Sequence, residues 1–231
     1  MAMLEKKGYL RRIKTATKSM SKHPRKHGIK MQAHHIISAI GVELALKSDD
    51  LRQLGYDIND LNNLVFIPCT LQGACHLRTQ LHRGDHKKDD PFGMPDPDAA
   101  DSDNDHPPFY HLKIKKKVKN LFIEHNLCKS NTKQVQDIMN ELSGLLLKKI
   151  NDFSLHLTAI STNFKSGNEG CMGVDNVPSE KDKNYQSLRA TKCPVGRDHQ
   201  LRTDHQHTHG PHQKNEKITY KKGKYTLEAG K

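Results

Sequence analysis

Apolar positions are sparse along this chain, and where they cluster they do so with periods that predict specific elements. Leu64-Val65-Phe66-Ile67 is an unbroken apolar run closed by Pro68. A run of that length and composition, stopped by a residue without an N–H, predicts a buried strand. The segment before it, Tyr56 to Asn63, is a polar turn, and an asparagine directly ahead of a strand is suited to bridging backbone groups in a tight loop. Upstream of that turn, Asp49 or Asp50 can cap a short helical stretch containing Leu51 and Leu54, with Gly55 placed to end it. Ile114, Val118, Leu121 and Phe122 recur at helical spacing and predict one amphipathic helix. Val135, Ile138, Met139, Leu142, Leu145, Leu146 and Ile150 predict a second, beginning near Thr132. Beyond about residue 160 the apolar content falls away, which predicts a weakly structured tail. Within it, Ile218 and Tyr220 face Tyr225 and Leu227 across Lys222-Gly223 as a short hairpin.

Composition then sets the scale. With 231 residues, 34% of them hydrophobic, the chain can bury one modest core, so a single principal unit is expected over about residues 31–155. A basic N-terminal arm (1–30) precedes it and a basic, His-rich tail (160–231) follows. The formal charge of +12 favours a polyanionic partner, with nucleic acid ahead of an anionic membrane surface. No apolar run approaches the length of a spanning helix, and the basic N-terminus lacks the apolar stretch of a secretory signal, so synthesis in the cytoplasm without membrane insertion is expected. The five cysteines are odd in number and form no C-x-x-C pair, which argues against a disulfide framework or a four-thiolate zinc site. Any metal would have to be held mainly by histidine.

Charge is unevenly spread. Ten lysines and arginines, Arg11, Arg12 and Lys30 among them, stand against Glu5 alone before residue 34, an arm expected to lie along phosphates. Lys115 and Lys116, on the polar side of the first long helix, are expected to do the same. From about 87 to 108 the chain is rich in aspartate and proline and poor in apolar residues, the composition of an acidic insertion rather than of core. It lacks the central glycine and closing glutamate of a calcium loop. The tail histidines His199, His205, His207, His209 and His212 have no partner constellation.

The remaining motif is Gln32-Ala33-His34-His35-Ile36-Ile37. Neighbours on a strand point to opposite faces, so paired histidines can serve two tasks, one holding a metal and the other taking a proton. This hexapeptide, followed by Asn63-Leu64-Val65-Phe66-Ile67-Pro68, by His82-Arg83-Gly84-Asp85-His86 and by Tyr110 ahead of a helix, resembles the AHH nucleases of the HNH/endonuclease VII superfamily over roughly residues 8–128. The resemblance implies an α+β fold, with a small, treble-clef-like ββα-metal nuclease core carrying additional helices. It implies His35 as general base, His34 as a metal ligand, and His86 or His82 as the second ligand. Asn63 would orient His35 or brace the loop, and Tyr110 would act at the metal or the scissile phosphate. His111, beside Tyr110, competes with His86 to complete the site because residues 87–109 interrupt the family's third motif. One divalent ion is implied, Mg2+ or Zn2+, with Mn2+ and Ni2+ as alternatives.

The expected activity is metal-dependent endonucleolytic hydrolysis of DNA with low sequence specificity. RNA is the alternative substrate, since the chemistry does not itself discriminate sugars. A non-catalytic nucleic-acid-binding protein with a structural zinc is the rival from another class. The family resemblance further implies a bacterial toxin or effector, a cognate immunity protein, and delivery into target cells by a dedicated secretion system.

Overall fold

The structure, a computed structural model, describes residues 8–69, 71–82, 110–127, 131–157, 218–221 and 223–231. Its centre is a two-stranded antiparallel sheet in which β1 (Met31–His35) pairs with β2 (Leu64–Pro68), His34 opposite Val65 and His35 opposite Leu64. β2 is buried along its whole length because both faces are covered, which is why it reads as an unbroken apolar run rather than an alternating one. Leu64 and Phe66 point one way, into a small cluster with Ile13. Val65 and Ile67 point the other way, into the main core with Ile36, Tyr110, Ile114, Met139 and Leu146. The same two-residue period sorts the histidines, so that His34 shares the face of Val65 and His35 that of Leu64.

The small cluster depends on the N-terminal segment, one face of which docks on the sheet while most of its basic residues stay exposed. Tyr9–Ala16 form a helix, α1, whose Ile13 is fully buried against Leu64 and Phe66. Apolar Tyr9 and Ile13 at i, i+4 supply one packing side while Arg11, Arg12 and Lys14 stay exposed. A following 3-10 turn, Pro24–His27, is capped by His23, whose Nδ1 accepts from the Arg25 N–H at 3.2 Å. Burial and the adjacent Arg25 and Lys26 push the His23 imidazole down to about 4, so it is neutral at physiological pH. Arg25 lies 3.9 Å above the Phe66 ring.

Between the strands come α2 (Ala39–Leu44), capped by the Ser38 hydroxyl, and α3 (Ser48–Gln53), followed by Gly55 with φ of 76°. After β2, α4 (Leu71–Leu77) leads to His82, whose N–H returns to the Pro68 carbonyl at 2.9 Å. The two long helices stand where the periodicity places them: α5 is Tyr110–Glu124, and α6 is Thr132–Asn151, capped by Asn131. α2 crosses α5 at Gly41, where a Cβ would sit 2.6 Å from the Ile114 side chain, so only glycine permits the approach. α6 belongs to the same core through Val135, Met139, Leu142, Leu146 and Ile150. Leu145, expected on its apolar stripe, is 55% exposed.

The described C-terminal residues pack onto this body, and in place of the expected terminal hairpin they follow an extended path over it. No strand forms within 218–221 or 223–231. Their backbone groups bond to other elements instead: Thr219 N–H to His27 O at 2.9 Å, Tyr225 N–H to Leu77 O at 2.8 Å, and Gly230 N–H to Leu64 O at 2.6 Å. Phe66 N–H in turn donates to Lys231 O at 2.7 Å. Leu227 is 2% exposed and lies in the main core, its N–H and C=O both paired with the Asn151 carboxamide at 2.8 and 2.9 Å. β2 carries β1 on one edge, so these contacts satisfy the other, and an edge covered in this way is shielded from pairing with a second chain. The acidic insertion and the His-rich stretch lie outside the described residues.

Candidate active site

His34, the penultimate residue of β1, faces the core and is 3% exposed. Its Nδ1 lies 3.0 Å from His82 Nε2, and its Nε2 lies 2.9 Å from the Tyr110 hydroxyl. Tyr110 is the first residue of α5, and its hydroxyl donates to the Ile36 carbonyl at 2.6 Å. A phenol has one proton, so with that proton on Ile36 O the oxygen accepts from His34 Nε2–H. His34 therefore presents Nδ1, not Nε2, as its lone-pair nitrogen towards His82. Burial raises the Tyr110 hydroxyl far above its ordinary range, so it stays a neutral phenol.

This donor set suits a divalent cation. Two imidazole nitrogens 3.0 Å apart can both reach one ion at metal–nitrogen distances of about 2.0–2.1 Å. The bond from the other ring nitrogen of His34 to Tyr110 is the outer support that such ligands ordinarily have. Among the described residues, no group of three or more His, Cys, Asp or Glu side chains converges on a metal position. His86, expected as a ligand, lies outside the described residues.

His35 occupies the opposite face. Its Nε2 is 2.8 Å from Asn59 Oδ1, and the Tyr9 ring lies against it at a centroid distance of 4.6 Å. The loop that carries Asn59 is clamped from α1. Arg12 forms an ion pair with Asp57 at 2.5 Å and donates to the Asn59 carbonyl at 2.7 Å, while the Asn59 N–H donates to Asp57 Oδ1 at 3.0 Å. Arg12, expected on phosphates, is thus engaged within the fold.

Asn63 does not orient His35; of the two expected functions it takes the bracing one. It is fully buried, its Oδ1 accepts from Ile37 N–H at 2.6 Å, and its Nδ2 donates to Ile37 O at 3.1 Å and Ile58 O at 2.8 Å. Ser143 of α6 adds a hydroxyl to the same oxygen at 3.2 Å. This carboxamide joins the end of β1 to the turn before β2. His111 is likewise engaged within the fold, its Nδ1 lying 2.8 Å from the Ser38 hydroxyl where α5 meets α2. Arg11 is exposed on α1, Lys116 is exposed on α5, and Lys30 and Lys115 are half-buried.

The structure therefore unites His34, His82 and Tyr110 on one face and sets His35 on the other. Sequence reasoning missed Asn59 and Tyr9. A carboxamide in a polar turn looks like a turn former, and the only available signal was its place four residues before Asn63.

The part played by Tyr110 is testable. Tyr110→Phe removes the acceptor for His34 Nε2–H and leaves the ring volume intact. Affinity for Zn2+ or Co2+, measured by calorimetric titration, is expected to fall about 10- to 100-fold, with little loss of secondary structure by circular dichroism. Unchanged affinity would show that the phenol does not support the ligand.

Residues 15–91 match the model of the AHH family, described as a nuclease family of the HNH/ENDO VII superfamily with conserved AHH. That span contains the Ala33-His34-His35 triplet, Asn59, Asn63 and His82. No curated protein and no solved structure matched the chain.

Proposed function

We propose, from the match of residues 15–91 to the AHH nuclease family of the HNH/endonuclease VII superfamily, that the protein is a metal-dependent endonuclease acting on DNA with low sequence specificity. The observation that carries this reading is the division of labour across β1. His34 and His82 bring two nitrogens to within 3.0 Å on one face, while His35 is held separately by Asn59 on the other.

His34 and His82 would hold the divalent ion, which when bound neutralises charge on the non-bridging phosphate oxygens and on the departing 3′ oxygen. The chain's own residues supply the rest. With Nε2–H donated to Asn59 Oδ1, the basic nitrogen of neutral His35 is Nδ1, and that atom accepts a proton from the attacking water. The water oxygen bonds to phosphorus, the P–O3′ bond breaks, and the 3′ oxygen takes a proton from solvent, leaving a 5′-phosphate and a 3′-hydroxyl. Tyr110 and Ile36 keep the His34 ring in place throughout.

Exposed Arg11, Lys14, Lys18 and Lys116 offer non-specific attraction to phosphates, in keeping with the net charge of +12. No described helix is long and apolar enough to cross a membrane. We further propose an effector role, with synthesis in the cytoplasm, a cognate immunity protein in the producer and delivery by a secretion system. Family resemblance supports these readings.

Supercoiled plasmid and a structured RNA, each incubated with the protein and Mg2+, Mn2+ or Zn2+, test the activity. Nicked and then linear plasmid is expected with metal, and intact plasmid with a chelator. Chelator-resistant cleavage would overturn the metal requirement, and cleavage of RNA alone would overturn the choice of DNA.

A further inference from the structure

We propose that Asn59 is a positioning residue for His35, fixing the imidazole with its proton on Nε2 so that Nδ1 is the nitrogen that meets the water. The inference rests on the reading of His35 as the base and adds the group that sets its geometry. Asn59 is 6% exposed, and its Oδ1 stands 2.8 Å from His35 Nε2. An acceptor at that distance selects the Nε2–H tautomer, just as a buried side chain beside a catalytic imidazole does in hydrolytic triads that use asparagine or aspartate.

The placement of Asn59 is independent of its side chain. Its backbone is held at both ends, the N–H by Asp57 Oδ1 at 3.0 Å and the carbonyl by Arg12 Nη1 at 2.7 Å, with Arg12 and Asp57 themselves paired. Asp57 is tied in turn to α6, its N–H donating to Gln136 Oε1 at 3.0 Å. The carboxamide is thus presented by a loop anchored to α1 and α6, and the Tyr9 ring of α1 packs against His35 at 4.6 Å. Two contacts, an acceptor at the ring edge and an aromatic face beside it, hold one orientation of the imidazole. Neither contact involves His34, His82 or Tyr110.

Because the loop is held through the backbone, the side chain can be altered without releasing it. Asn59→Ala is expected to lower kcat for plasmid nicking about 10- to 100-fold with KM within about twofold, since the lost contact acts on the base and not on substrate. Asn59→Asp keeps an acceptor oxygen at the same reach and is expected to restore kcat to within about threefold. In 15N spectra of the full chain, the His35 ring is expected to show the Nε2–H tautomer in the parent and a mixture of tautomers in Asn59→Ala. Combined with His35→Ala, the Asn59→Ala change is expected to add nothing.

A parent-like kcat in Asn59→Ala would overturn the proposal, as would equal losses in the alanine and aspartate variants with an unaltered tautomer. If His35→Ala itself cleaves at the parent rate, the reading of His35 as the base fails. If His35→Ala is inactive while Asn59→Ala is not, only the positioning proposal fails.

Discussion

His35→Ala is expected to lower the single-turnover rate of plasmid nicking about 100- to 10,000-fold, the contribution usual for a positioned general base. The substitution should leave the proposed metal pair, His34 and His82, alone. His34 lies on the Val65 face of the sheet, where it meets His82, whereas His35 lies on the Leu64 face, so shortening His35 leaves the His34–His82 contact in place. Its structural cost comes from Asn59, whose buried oxygen loses a donor, and from the Tyr9 ring, which loses a packing partner. Together these amount to about 1–3 kcal/mol, small enough for the variant to remain folded. The diagnostic pattern is therefore a large fall in rate with Zn2+ affinity and plasmid binding close to the parent. A rate within about threefold of the parent would remove His35 from the chemistry. A parallel fall in metal affinity would mean that the two faces are coupled in a way the sheet geometry does not provide.

The parts of the fold written in short-range patterns could be read in advance. β2 was legible because burial on both faces leaves an uninterrupted apolar run, and α5 and α6 because each carries a stripe at helical spacing. The family motif singled out His34 and His35, and the two-residue period of β1 places them on opposite faces. It could not show that Tyr110 reaches His34 across 76 positions and His82 across 48, because such meetings depend on how α5 and the stretch after α4 pack on the sheet. Tyr110, expected at the metal or the scissile phosphate, meets the His34 ring and the Ile36 carbonyl. α1 escaped detection for a different reason. Its charges dominate the composition, and the Tyr9 and Ile13 pair that docks it is too short a periodic signal to stand out. Arg12 followed from the same error, since a basic residue on a docked helix can be consumed by Asp57 instead of a phosphate.

Deleting residues 218–231 is expected to abolish cooperative unfolding and nuclease activity together, although these residues lie more than sixty positions beyond α6 in the chain. Leu227 fills a place in the main core, and truncating such a leucine alone costs about 2–5 kcal/mol. Removing the segment also strips both partners from the Asn151 carboxamide, the acceptor from Phe66 N–H and the donor from Leu64 O. Each buried group left without a partner costs about 1–3 kcal/mol, so the total rivals the 5–15 kcal/mol that a domain of this size has in reserve. The loss reaches the site through α4. Gly223 and Tyr225 donate to His76 O and Leu77 O, and Tyr220 O lies 2.7 Å from His76 Nε2, which ties down the element leading to His82. Leu227→Ala is expected to show the intermediate case, a folded protein with a melting temperature lowered by several degrees and weaker Zn2+ binding. Thermal melts followed by circular dichroism, with a synthetic 218–231 peptide added back to the truncated chain, provide the measurement. Recovery of a cooperative transition on adding the peptide would establish that the segment acts by docking. A truncated chain that melted at the parent temperature would show that the nuclease body is complete without it.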